Sequence, residues 1–321
     1  MVSIIDNDLT KLASRVIIFL LLLFVLLYIL TWTNTLKCKS LPGWCNVYYA
    51  IKGKPRVLIA VGDDGLGEPE LLQTLMSNPR MLGVKPTIMH IDTLKPGNLR
   101  EYELVIVEKA RKLSSEKIKM FVDYANQGGN LIWTGDAGVE APDPEEYLYK
   151  DEIGDSNEPH TMINPWARKH GETAIFLNEL LSLEYVCNYK DVIGEVNKEI
   201  LIGNLIPMNP DNPFVYGISP SLRFYLTEHT DFAVVKPIER GTSTSVMVLD
   251  LGANVIYNEK SYGKRIPFIV TNAKGNLFGL KIGENVAYYS MPPEYFMHES
   301  LSPEHRYPTI IEKMFTGMLY G

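Results

Sequence analysis

Asp136 sits at the tip of a glycine-flanked turn, Thr134-Gly135-Asp136-Ala137-Gly138, directly after the apolar run "NLIW" at 130–133. A carboxylate held there can attack as a nucleophile, bind a cation, or cap the backbone of the turn. A second acidic turn, "VGDDGLGEPELL" at 61–72, carries Asp63, Asp64 and Glu68 among Gly62, Gly65 and Gly67. Glycines between a strand and a helix can cradle a phosphate on the helix N–H groups. This run is not Gly-x-Gly-x-x-Gly, no Lys-Ser/Thr follows it, and its acids repel an anion. A tight βα turn whose glycines serve backbone geometry is the expected role. If both turns follow adjacent strands, Asp63, Asp64 and Asp136 converge, a donor set suited to Mg²⁺ or Ca²⁺. No spaced ligand motif supports a metal, and neither a metal nor a cofactor is expected. A ligand site at these strand ends would be lined by Gly62, Asp63, Asp64, Gly65, Gly135, Asp136, Ala137 and Gly138.

Two of the six histidines stand beside acids at a spacing that could serve a nucleophile, His170-Gly171-Glu172 and His229-Thr230-Asp231. Neither pattern is specific. In "NPWARKHGE" (164–172), Trp166, Arg168, Lys169 and His170 read equally as a contact surface or as a local anchor under a loop. The chain has no His-Glu-x-x-His, Cys-x-x-Cys or Gly-x-Ser-x-Gly. Cys187, in the apolar string "LSLEYVC", reads as a buried small hydrophobe.

The elements that must position these groups alternate regularly. "RVLIAVG" (56–62), "KPTIMHID" (85–92), "YELVIVEKA" (102–110) and "NLIWTG" (130–135) read as strands. "EPELLQTLMSNPRML" has helical spacing with Pro69 in its first turn, and "SSEKIKMFVDYANQGG" (114–129) is a serine-capped helix stopped by two glycines. Strand–helix–strand repetition implies a parallel sheet covered on both faces, with right-handed crossovers and any site at the carboxyl ends of the strands. The loops there are "GDDGLGEP", "EKARKLSS" and "GDAGVEAPDP". Residues 142–172 are polar, acidic and turn-rich, and predict a surface excursion. "TAIFLNELLSLEYV" (173–186) predicts an amphipathic helix, the β-like runs after it an antiparallel or mixed continuation, and "YPTIIEKMFTGMLYG" (307–321) a final helix.

On these runs, residues 55–321 resemble the class I glutamine amidotransferase-like superfamily. The marks are the glycine loop after the first strand, "YELVIVEKA", "LSSEKIKMFVDYANQGGNLIWTG", and the late segments "FAVVKPIERGTSTSVMVLDLG" and "RIPFIVTNAKGNLFGLKIGENVAYYSMPPEYF". The resemblance implies a three-layer αβα, flavodoxin-like domain with a mixed sheet. In enzymes of that family the fourth strand ends in Gly-x-Cys-x-Gly, which exposes a nucleophile and offers the next N–H to an oxyanion. Here Asp136 takes the cysteine's position and Thr134 the first glycine's. Aspartate cannot form the thioester of glutamine hydrolysis. The resemblance therefore implies a noncatalytic branch member, a binding or scaffold subunit of a membrane-associated assembly. The alternatives are a hydrolase using Asp136 with Asp64, a metal or a histidine, and a sensor of a sugar or peptide.

The membrane enters through "VIIFLLLLFVLLYILTW" (16–32), which has no charge and about the length needed to cross a ~30 Å hydrocarbon core. Tyr28 and Trp32 lie at its far end, where amphipathic rings favour headgroups. A cleaved signal peptide is the alternative reading, and no small-x-small cleavage site follows. The expected layout is a tail at 1–15, a transmembrane helix at 16–33, a linker at 34–54 and the domain at 55–321. Lys11 and Arg15 before the helix against Lys37 and Lys39 after it, with Lys52, Lys54 and Arg56 further on, give a near tie or a lean towards a cytoplasmic body. Cys38 and Cys45 flank "KSLPGW", and a disulfide between them would need an oxidising compartment. Two unrelated thiols is the competing reading. A single-pass protein of the cell membrane with an extracytoplasmic domain is expected. The net charge of −7 and the lack of a Lys/Arg block argue against nucleic acid as a partner.

Overall fold

The computed structural model describes all residues except 1, 34–35, 42, 155–159, 239–242, 273 and 278–279, and side chains outside 2–10 and 274–283. The chain divides into two compact units, residues 1–54 with 277–281, and residues 55–276 with 282–321.

The first unit holds a long helix, α1 (Val2–Trp32), a 3₁₀ turn (Cys38–Ser40) and α2 (Trp44–Lys52). The stretch Lys11–Trp32, 22 residues with a mean hydropathy of 2.7, is long and apolar enough to cross a membrane. The sequence reads 34–54 as a linker, yet nine of its residues form α2. Cys38 and Cys45 are joined in a disulfide. Closing so short a loop is worth about 2–3 kcal/mol. Serine at both positions is expected to lower the stability of this unit by about that amount. Thermal melts of the two forms check the loss, and intact mass before and after reduction checks the bond.

The second unit begins with β1 (Val57–Val61), α3 (Pro69–Ser77), β2 (Thr87–His90), the single turn α4 (Pro96–Leu99), β3 (Leu104–Glu108), α5 (Ser115–Asn126) and β4 (Leu131–Thr134). The excursion ends in a hairpin, β5 (Ala167–His170) and β6 (Thr173–Phe176), followed by α6 (Leu177–Leu181), β7 (Leu183–Asn188) and α7 (Lys190–Ile193). Then come β8 (Ile200–Pro207), β9 (Leu222–Leu226), β10 (Ala233–Pro237) and β11 (Thr244–Asp250). The chain closes with β12 (Ile256–Tyr257), β13 (Lys260–Ser261), β14 (Arg265–Thr271), β15 (Lys274–Leu277), β16 (Leu280–Gly283), β17 (Val286–Tyr289) and α8 (Thr309–Leu319).

Nine strands make one mixed sheet in the order β2-β1-β3-β4-β17-β14-β11-β8-β9. The pairings from β2 to β17 are parallel and those from β17 to β9 antiparallel. Strand period two sends alternate residues to opposite faces. Val57, Ile59, Ile106 and Ile132 pack with Leu72 and Met76 of α3 and with Met314 and Phe315 of α8. Leu58, Ala60, Val107 and Trp133 pack on the other face with Ile118 and Phe121 of α5 and with Leu177 of α6. Two cores on two faces of one sheet are the helix–sheet–helix layering that continuous apolar strands require.

One helix expectation fails. Residues 173–186 are not a single helix but β6, the short α6 and the start of β7. Ser182, with φ 55°, ends α6 in the left-handed region, and Leu183–Asn188 then pairs antiparallel with Ala233–Pro237. The aromatic and β-branched content of this stretch suits that pairing, and the tertiary partner overrides the helical spacing.

Candidate functional site

The loops after β1, β3 and β4 meet at the carboxyl ends of the strands. Gly62, Gly65 and Gly67 are there because the chain passes too close to its neighbour for a side chain. A Cβ on Gly65, whose φ is 109°, would stand 2.9 Å from the Arg111 backbone nitrogen and 3.0 Å from an Asp136 carboxylate oxygen. The N–H groups of the loop that leads into α3 have internal acceptors. Leu66 N–H donates to Asp136 Oδ1 (2.9 Å), Gly67 N–H to the Tyr295 hydroxyl (2.9 Å) and Glu68 N–H to Glu294 Oε1 (2.8 Å).

Asp136 is buried at 1% exposure. Besides Leu66, it accepts from Asn188 Nδ2 (3.0 Å) and from Arg111 Nη1 (3.1 Å). Arg111 also donates to Glu140 Oε1 at 2.6 Å. The turn around Asp136 is equally occupied. Ala137 N–H, the amide at the oxyanion position, donates to Thr134 C=O (3.2 Å), and Gly138 N–H to Ala110 C=O (2.8 Å). Ala137 C=O accepts from the indoles of Trp133 (2.9 Å) and Trp166 (2.8 Å). Gly135 and Gly138 adopt φ of 53° and 71°, which keeps the turn sharp without a Cβ penalty. Both Asp136 oxygens and the Ala137 and Gly138 amides are thus engaged within the fold. The arrangement ties three loops and β7 together through one carboxylate.

The other sequence-selected groups do not join Asp136. The Asp63 side chain is 92% exposed and lies 3.2 Å from His90 Nε2. Asp64 is exposed, and its carbonyl accepts from Arg111 N–H. Among the described residues no cluster of three or more His, Cys, Asp or Glu could hold a metal ion. His170 is exposed at the turn of the β5–β6 hairpin. His229 is exposed and pairs with its neighbour Glu228 at 3.1 Å. Asp231 caps a turn instead of orienting His229, accepting from Phe232 N–H (2.8 Å) and Lys190 N–H (3.2 Å), and burial pushes it up to about 7. Trp166 and Arg168 are both fully buried, which makes them the anchor of the excursion and removes the contact-surface reading. Arg168 Nη2 donates to Gly138 C=O (2.9 Å), and its guanidinium lies 4.1 Å from the Tyr147 ring centroid.

Sequence reasoning missed a second acidic cluster. Glu108, the last residue of β3, and Glu294, in the 3₁₀ turn Pro293–Met297, are both fully buried. Both oxygens of Glu108 and Oε2 of Glu294 have no hydrogen-bond partner among the described residues. Burial, then the facing Glu294 carboxyl, pushes Glu108 well above the carboxylate range. Burial pushes Glu294 up to about 7, against the Glu68 N–H that favours its charged form. Two buried carboxyls in this state do not both ionise near neutral pH. Beside them His298 Nε2 lies 3.0 Å from Glu68 Oε1 and His298 Nδ1 lies 2.7 Å from the Ser300 hydroxyl. The sequence signal was an acid ending the apolar run "LVIVE".

No family model matches the chain, and no curated protein does. Among solved structures, a ThuA-like protein from Bacteroides uniformis is similar over 82% of this chain and 90% of its own, at 14% identity and a TM-score of 0.47. The mmIFT52 N-terminal domain is similar over 83% of this chain and 98% of its own, at 13% identity and a TM-score of 0.45. A β-galactosidase from Rahnella sp. R3 is similar over 83% of this chain but 31% of its own length, at 10% identity and a TM-score of 0.45. Likeness at this level says nothing of activity.

Proposed function

We propose that the protein is a membrane-anchored, noncatalytic α/β domain that serves as a binding or scaffold subunit of a membrane-associated assembly. The observation that carries this reading is Asp136. At the position where the related enzymes hold a cysteine, its two oxygens are engaged by Leu66, Asn188 and Arg111. A hydrolase using Asp136 with Asp64 would need those oxygens free and the two acids together. The apolar stretch Lys11–Trp32 supports the anchor, and the Cys38–Cys45 bridge supports an extracytoplasmic body. Mild detergent extraction followed by affinity capture is expected to recover a stoichiometric protein partner in addition to this chain. Recovery of the chain alone at every salt concentration would sink the scaffold reading. Release of ammonia from glutamine by the purified protein would sink the noncatalytic one.

A further inference from the structure

We infer that α2 is a second membrane element, a short re-entrant helix seated in the acyl-chain and headgroup boundary of the leaflet at the Trp32 end of α1. The inference rests on the anchor reading and adds a lipid-facing surface to it. The Trp44 ring meets the Phe24 ring at 5.4 Å between centroids, and the Tyr48 ring meets that of Tyr28 at 5.5 Å. Trp44 Nε1 donates to the Thr31 hydroxyl at 2.8 Å. Phe24 precedes Trp32 by eight residues, which is about 12 Å of helix. If α2 stood in water, the last two turns of α1 would stand there with it. The remaining helix from Arg15 to Phe24 would then measure about 14 Å, less than half of a ~30 Å hydrocarbon core. The whole stretch to Trp32 is needed to cross, and the contacts carry Trp44 and Tyr48 into the leaflet beside it.

The composition of the segment agrees independently. From Ser40 to Ile51 no residue is charged, and Lys39 and Lys52 bracket the run. Trp44, Tyr48 and Tyr49 are the ring types that favour the interface, and lysines at both ends can reach the headgroups along their stems. Trp44, Cys45 and Tyr48 are buried, whereas Val47 (42%) and Ile51 (56%) are exposed along one flank of that face, with exposed Ala50 next to Val47 and exposed Asn46 beyond it. The flank of Val47, Ala50 and Ile51 is apolar and would face acyl chains. The disulfide fixes the start of α2 to the 3₁₀ turn that follows α1.

The test is nitroxide labelling of the full-length protein in phosphatidylcholine vesicles, with the Cys38–Cys45 bond intact and Cys187→Ala as background. Single labels at Val47→Cys and Ile51→Cys are compared with Leu21→Cys as the membrane reference and Glu116→Cys as the aqueous one. Collision with oxygen and with a water-soluble nickel chelate is read by power saturation. Labels at 47 and 51 are expected to fall between 116 and 21, with more oxygen collisions and less nickel access than 116. If 47 and 51 match 116 while 21 stays oxygen-rich, the anchor stands and the re-entrant helix is overturned. If 21 is also nickel-accessible, the anchor reading itself falls and takes this inference with it.

Discussion

Replacing Asp136 by alanine is expected to destabilise the α/β unit by about 3–5 kcal/mol, a melting-temperature loss of roughly 6–15 °C for a domain of this size. The buried carboxylate accepts from Leu66 N–H, the Asn188 amide and Arg111. Truncation leaves the first two without acceptors in a site closed to water, at about 1–3 kcal/mol each. Arg111 is partly exposed and keeps Glu140 at 2.6 Å, so it contributes less. Asp136→Asn keeps one acceptor oxygen but turns an N–H₂ group towards another donor, and should fall between wild type and alanine. The sign is the informative part. A carboxylate kept for chemistry usually costs stability, and its removal stabilises. Asp136→Ala that melts at or above wild type, with loss of a hydrolytic activity, would reinstate the enzyme reading.

The sheet was legible because its strands are continuous apolar runs bounded by glycine, and a strand buried on both faces needs that composition. β1, β3 and β4 were placed within a residue or two, and α5 was announced by its Ser114 cap, whose hydroxyl accepts from Lys117 N–H. The stretch 173–186 was misread because its partner, β10, lies some fifty residues further on, and pairing with a distant strand leaves no trace in local spacing. The site was legible only as a location. Sequence gives Asp136 and the glycines a place at the strand ends, but whether a carboxylate is free or tied depends on donors from Leu66, Arg111 and Asn188, which the fold brings together. Glu108 and Glu294 were invisible as a pair for the same reason. They are 186 residues apart in sequence, and only the fold brings them close enough to perturb one another.

That pair leads to the expectation of a protein more stable in mild acid than in base. Glu294 is pushed up to about 7 and Glu108 well above the carboxylate range, both chiefly by burial, so in the folded state they hold protons that the unfolded chain releases near pH 4.5. Where the native state binds more protons, raising the pH favours unfolding. The pair is therefore without penalty below about pH 4.5, and stability falls as pH climbs through 7. For Glu294 alone the full loss is on the order of 3 kcal/mol. Asp231, also pushed up to about 7 by burial, acts with the same sign, so the slope of the wild type does not isolate the pair. Glu108→Gln does. The amide removes one of the two ionisable groups and offers an N–H₂ donor beside Glu294, whose Oε2 has no partner among the described residues. Glu294 can then ionise while still accepting from Glu68 N–H. Thermal melts between pH 5 and 9 should lie closest at the acid end and diverge progressively as the pH rises. The variant should melt several degrees higher at pH 8–9. Parallel curves offset by a constant would mean that Glu108 does not titrate differently in the folded and unfolded chain.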